Sequence, residues 1–222
     1  MLVHAWLCGR SLARGLPAPV PDAGGYRVDT RSEAEWQRWV FPAVGEDLIR
    51  LASRIHEPGR FIKVCATISQ LRSSLPDRWQ LHAPGYFMSA AEPARQRALP
   101  PGYELEISRS GDVTAARVVS PAGEVAASGF AAETSGAFVY DRIATDAGHR
   151  RMGLASVVMA ALRSTMRDAN SRELLVATPE GQALYRTLGW RTLSPYSTAS
   201  IARPSVAPER LEVRGDRPIF AA

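Results

Sequence analysis

Cysteine is scarce in this sequence: Cys8 and Cys65 are the only two among 222 residues. Two thiols so far apart make no disulfide framework. There is no CxxC pair, and the four histidines are scattered, so no metal site is expected. The apolar neighbours of both thiols point to buried free cysteines in a reducing, cytoplasmic setting. Long hydrophobic runs are missing as well; none approaches the ~20 apolar residues of a membrane helix, and no membrane partner is expected. No internal repeat or low-complexity tract is visible. Acidic side chains are absent from the first 21 residues, which carry Arg10 and Arg14. A secretory signal needs an unbroken apolar region and a small-residue cleavage site. Here Leu2–Cys8 is short, includes His4 and runs into Gly9-Arg10. An N-terminal segment packed onto the domain is expected, with an Arg-rich organelle-targeting peptide as the alternative.

What is present is an ordinary globular composition, 45% hydrophobic, with a net charge of +5. The length allows one large domain or two small ones. The basic balance suits a polyanion: nucleic acid, an anionic membrane or a phosphorylated cofactor. Single arginines spread along the chain favour a small polyphosphate. Nucleic-acid binding would need aromatic and basic residues interleaved on one face, and none is visible, so no nucleic-acid partner is expected.

Gly15–Gly25 reads as an extended loop and Tyr26–Thr30 as a strand, while Glu33–Val40 is ambiguous. Glu46–Ile55 has helical spacing, Phe61–Ala66 reads as a buried strand, and Ser69–Leu75 as a short helix. Trp79–His82 and Tyr86–Met88 are strand-like. Residues 90–102, closed by Pro100-Pro101-Gly102, are the best domain boundary. Tyr103–Ser108 alternates like a half-buried strand, and Val113–Val119 and Val125–Glu133 continue a meander. Phe138–Thr145 is a strand, followed by a loop and a helix. Leu154, Val157, Val158, Ala161, Leu162 and Met166 form one apolar stripe. Leu174–Ala177 is a buried strand parallel to Phe138–Thr145. Glu180–Leu188 is a helix stopped at Gly189. Trp190–Leu193 and Tyr196–Ile201 could pair as the last strands.

The loop after Phe138–Thr145 carries the chemistry. A helix start presents unpaired N–H groups and the positive end of the helix dipole. That makes an anion site. Gly153 and Ala155 let a phosphate approach the backbone closely, and His149, Arg150 and Arg151 add charge. Taken alone, a helix start with surface arginines explains the loop equally well.

Arg150-x-x-Gly153-x-Ala155 resembles the Gln/Arg-x-x-Gly-x-Gly/Ala signature of the GNAT acyltransferase superfamily. Downstream, Ala183-Leu184-Tyr185-Arg186-Thr187-Leu188-Gly189-Trp190 resembles the family's Ala-x-Tyr-x-x-x-Gly-Phe motif. The resemblance covers roughly residues 100–201. It implies an α/β (α+β) fold with a mixed, mostly antiparallel sheet flanked by helices. It also implies an N-acetyltransferase whose co-substrate is acetyl-CoA, with no metal. The strands Phe138–Thr145 and Leu174–Ala177 would splay into a cleft. Pantetheine would pair along Ile143, Ala144 and Thr145. The pyrophosphate would sit on the N–H groups of Arg151, Met152, Gly153, Leu154 and Ala155 beside Arg150, with Ser156 adding a hydroxyl. Tyr185 would protonate the departing thiolate. The family often has Asn before the second helix; here Thr178 offers a hydroxyl instead. Asp141 and Glu133 are the candidate bases, though Asp141-Arg142 reads equally as a surface ion pair.

Residues 101–202 would then be the catalytic domain and 203–222 a poorly packed tail. Residues 1–100 would form a cap or a degenerate second half on the acceptor side. Trp6, Trp36, Trp39 and Trp79 lie there and could line an acceptor pocket or form plain core. The acceptor would be an amine on a small molecule or peptide, and a homodimer is left open. The rival from another class is a catalytically inactive GNAT-like module that binds acyl-CoA as a regulator.

Overall fold

The computed structural model describes residues 2–91 and 97–202. The tail at 203–222 and part of the boundary segment lie outside the described residues. The chain opens with helix α1 (Leu2–Ala13) and the strands β1 (Val20–Asp22), β2 (Gly25–Asp29) and β3 (Gln37–Phe41). Helix α2 (Glu46–Arg54), strand β4 (Arg60–Val64) and helix α3 (Ile68–Ser73) follow, then β5 (Trp79–Leu81) and β6 (Gly85–Ala90). The meander is β7 (Glu104–Ser110), β8 (Val113–Val119), β9 (Val125–Thr134) and β10 (Ala137–Thr145). Helix α4 (Leu154–Arg163), β11 (Arg172–Ala177), α5 (Pro179–Thr187) and β12 (Trp190–Ile201) complete it.

The strands form one mixed sheet in the order β1-β2-β3-β4-β12-β6-β11-β10-β9-β8-β7, with β5 paired to β12. Only β3–β4 and β10–β11 run parallel. The expected α/β architecture with a mostly antiparallel sheet is therefore what the chain adopts. Strands β6 and β12 bind its two parts together. β6 pairs with β11, while the first part of β12 pairs with β6 and its last part with β4 and β5.

Three apolar clusters follow the period-2 alternation of the strands. Phe138 and Tyr140 face α4, where they meet Val158 and Leu162. Ile62 and Val64 face α2 and α3 through Leu48 and Leu71. The opposite face is covered by α1: Val139, Phe87 and Tyr196 pack against Trp6 and Leu7. Helix α1 lies so close to β10 that a Cβ on Gly9 would stand 2.5 Å from Val139 Cγ2. The N-terminal segment thus packs onto the sheet, as its composition suggests.

Several sequence expectations are corrected. β7 is exposed along its length, Leu105 and Ile107 included, because it is an edge strand with no helix over it among the described residues. Trp190–Leu193 and Tyr196–Ile201 do not pair with each other; they form one strand with a register shift between Thr192 and Ser194. Gly15–Gly25 contains the hairpin strand β1. Met166 lies past the end of α4 yet still packs on its core. Cys8 and Cys65 are partly rather than fully buried.

Candidate active site

The site begins where two parallel strands part. β10 and β11 pair only between Ala137–Val139 and Arg172–Leu174. Beyond that, β10 runs on to Thr145 paired with β9 alone, and β11 runs to Ala177 against β6. The register of β10 with β9 shifts between Asp141 and Ala144, and Arg142 there has a φ of 54°. Such a bulge bends the strand and re-aims its edge. The edge of β10 facing β11 is left without a strand partner through Ile143, Ala144 and Thr145. That is a template for an extended ligand with amide groups.

At the end of β10, Asp146 caps a 3-10 turn, Ala147–His149, by accepting from the Gly148 N–H at 2.9 Å. Gly153 caps α4 in the left-handed region at φ 80°, where a side chain would be strained. Its carbonyl accepts from the N–H groups of Ser156 (3.0 Å) and Val157 (3.2 Å). The N–H groups of Leu154 and Ala155 precede the helix's own ladder and are free for a ligand. Arg150, Arg151 and Met152 are exposed beside them. His149 is engaged: its Nδ1 lies 2.8 Å from the Tyr103 hydroxyl and its Nε2 4.0 Å from Glu124. Ser156 is buried behind the start of α4. One cation was not legible from the motif. The Arg97 side chain lies over Gly153, so that a Cβ on Gly153 would come within 2.7 Å of Arg97 Nη1. Arg97 comes from the connection ahead of β7, and no local sequence pattern links it to the loop.

At the vertex of the splayed strands is a cavity of about 280 Å³. Ile143, Ala177, Thr178, Gly181 and Tyr185 form one wall. The Tyr185 ring packs against Trp190 at 5.8 Å, and burial pushes its phenol up to about 12. It is therefore protonated at neutral pH. The Thr178 oxygen caps α5 by accepting from Gly181 N–H at 3.1 Å, which leaves the Thr178 hydroxyl proton free to donate.

The rest of the lining comes largely from the first hundred residues, joined by Tyr196 of β12 and Asp141 of β10. Trp6, Arg10 and Arg14 follow one another at helical spacing and line it, together with Lys63 and Tyr196. Asp141 is buried here, and both its oxygens accept from Arg14, at 2.7 and 2.9 Å, with Arg142 at 3.2 Å. The Asp141–Arg142 pair is thus partly buried, and Asp141 ties α1 to β10.

Glu133 is not brought to the cavity. Its carboxylate accepts from the backbone N–H groups of Arg167 (3.1 Å) and Asp168 (2.8 Å) and from the Arg167 side chain. Burial opposes its charge, but these bonds outweigh burial and hold the carboxyl below its usual range. It fastens β9 to the turn after α4. Of the tryptophans, Trp6 lines the cavity, Trp39 and Trp79 are core, and Trp36 is exposed. Sequence reasoning missed Lys63 and Tyr196. A lysine inside the apolar run Phe61–Ala66 was the available signal, because lysine is rarely buried without a reason.

No protein-family model matches the chain, and no curated protein matches it by sequence. Solved structures do resemble it. A GCN5-related N-acetyltransferase from Kribbella flavida is 14% identical with a TM-score of 0.60, covering 89% of this chain and 93% of that one. A putative acetyltransferase of the GNAT family from Novosphingobium aromaticivorans is 15% identical with a TM-score of 0.56, covering 90% and 96%. A tandem GNAT protein from the clavulanic acid biosynthesis pathway is 11% identical with a TM-score of 0.50, covering 70% and 68%. At these identities the likeness is one of fold: the chain has the GNAT fold. Coverage near nine-tenths extends that likeness well beyond residues 100–201, where the motifs lie. No helix among the described residues is long and apolar enough to cross a membrane.

Proposed function

We propose that this protein is an N-acetyltransferase that moves an acetyl group from acetyl-CoA to an amine by direct attack. The observation that carries the reading is the parting of β10 from β11 over a cavity that holds a protonated phenol, Tyr185, with an anion-ready helix start at the end of β10. Pantetheine pairs with the open edge at Ile143, Ala144 and Thr145. The pyrophosphate sits on the N–H groups from Arg151 through Met152, Gly153 and Leu154 to Ala155, with the charge of Arg150 and Arg151 beside it. The thioester then reaches the cavity.

The acceptor loses its ammonium proton to water, since Asp141 commits both oxygens to Arg14. The amine nitrogen attacks the thioester carbon, and a tetrahedral intermediate forms. As it collapses, the nitrogen gives its second proton to water, the C–S bond breaks, and Tyr185 gives its proton to the departing thiolate. Water returns the proton to the phenolate. No cysteine among the described residues lines the cavity, which favours direct transfer over a covalent enzyme intermediate.

In this reading, residues 1–100 are a degenerate half of the same kind. They build most of the acceptor wall, which Tyr196 completes, and leave the donor site largely to residues 101–202, with Arg97 reaching over Gly153. An inactive acyl-CoA-binding module would share the loop but would not need the Tyr185 phenol.

The test is a thermal shift with acetyl-CoA, followed by a screen of amines for thiol release. A ligand at about a hundredfold its Kd stabilises by about 2.7 kcal/mol. Absence of any shift at millimolar acetyl-CoA removes the donor from the proposal. A shift without thiol release for any amine favours the binding module.

A further inference from the structure

The acceptor wall of the cavity holds more positive charge than it balances. Arg10 and Lys63 have side chains only 17% and 12% exposed. Burying a cation costs several kcal/mol unless an anion and hydrogen bonds compensate. Of the two carboxylates present, Asp141 is doubly bonded to Arg14, and Glu35 accepts from Arg38 Nη2 at 3.0 Å through one oxygen while its other oxygen, without a hydrogen-bond partner, stands between Arg38 and Lys63. What remains for Arg10 is an approach of 3.9 Å to Asp141, and for Lys63 one of 3.4 Å to Glu35. With Arg142 beside Asp141, five cationic side chains share two carboxylates. The Tyr196 hydroxyl, fully enclosed on the same wall, has no hydrogen-bond partner. A buried hydroxyl without a partner is costly and marks a place where a ligand atom would bond.

We propose that the cavity takes a small amine that also carries an anionic group, a carboxylate or a phosphate, and seats that group against Arg10, Lys63 and the Tyr196 hydroxyl. Only the amine in this statement rests on the acyltransferase reading; the anion seat rests on the cavity. The donor's phosphates do not need these cations, because Arg150 and Arg151 stand exposed on the loop at the far end of β10. A cavity of about 280 Å³ suits a molecule of amino-acid size. With the anion held at the α1 wall, the amine of such a molecule points toward Tyr185 and Thr178 on the other wall.

The state of Lys63 fits an empty anion seat. Burial first, then repulsion from Arg10 and Arg14, lowers it to about 8 against the opposing pull of Glu35. The other groups that face it are silent near that pH. Burial raises Tyr196 far above its ordinary value and Cys65 to about 11, and it lowers His82. An anion restores the charged form of Lys63, so binding weakens as pH rises through about 8.

The experiment compares matched probes on the full chain by calorimetry and thermal shift: glycine against glycinamide, and O-phosphoethanolamine against ethanolamine. Wild type should bind an anionic member and not its neutral counterpart, with affinity falling between pH 7 and 9. Lys63→Met and Arg10→Gln should each weaken that binding at least about tenfold. Lys63→Met should also abolish the pH dependence, and both variants should keep the acetyl-CoA shift. The carboxylate and phosphate pairs tell the two anions apart. Equal binding of charged and neutral members, no binding of either anion, or variants that bind like wild type would overturn the proposal. Anion binding without any acetyl-CoA shift would leave the seat standing and sink the acyltransferase reading instead. A circular dichroism spectrum and melting curve of each variant confirm that it folds.

Discussion

Two parts of the sheet use one plan to opposite ends. β2-β3-α2-β4-α3 and β9-β10-α4-β11-α5 share the same order, with an antiparallel pair, a parallel pair through a helix, and a second helix capped by threonine, Thr67 or Thr178. In the first, β3 and β4 pair along their whole length, from Gln37–Arg60 to Phe41–Val64. In the second, pairing stops after Val139 and the strands part. The helix starts differ too. α2 opens with Glu46 and Asp47 behind an extended Gly45, whereas α4 opens without an acid behind the left-handed Gly153 and two arginines. Acids at a helix start satisfy its dipole and repel phosphate; their absence leaves the positive end for a ligand. The topology alone therefore makes no donor site. Under the proposed function, an open strand edge and an acid-free helix start do.

The largest expected effect tests the helix start. Gly153→Glu places a side chain where φ is 80° and a negative charge where the pyrophosphate would sit, so the acetyl-CoA thermal shift should vanish. A retained shift would move the donor away from this loop. Next comes the vertex. Tyr185→Phe should keep the shift and lower turnover by roughly a hundredfold, read as kcat in a thiol-release assay. Unchanged kcat would mean that water protonates the thiolate. The smallest effect is a control on the closed crossover. Glu46→Gln with Asp47→Asn should leave acetyl-CoA affinity and stoichiometry unchanged, because β3 and β4 offer no gap. A second equivalent of acetyl-CoA in that variant would show that charge, not strand pairing, closes the first crossover.

Much of this was readable along the chain. The alternation in Tyr103–Ser108 and the strand-like runs Val113–Val119 and Val125–Glu133 located the meander. The apolar stripe from Leu154 to Leu162 located α4. Arg150, Gly153, Ala155 and Tyr185 carried the family resemblance. Other features were not readable, for stated reasons. The exposure of β7 depends on the absence of a covering helix, which alternation cannot report. Glu133 and Asp141 look alike as acids near β10. One is spent on the N–H groups of Arg167 and Asp168 and the other on Arg14, 127 positions away.

The sequence by itself determined most elements from the meander to α5, the crossover from β10 to β11 and the local chemistry of the loop from Arg150 to Ala155. Those depend on periodicity, turn residues and a helix start, all set by near neighbours. Only the tertiary structure decided the charged wall of the cavity. Arg10, Lys63 and Tyr196 come from α1, β4 and β12, and they meet because β6 and β12 bind the two parts of the sheet while Gly9 lets α1 lie close against Val139. Contacts of that range carry no local signature, because what places them is packing between elements rather than the pattern within any one of them.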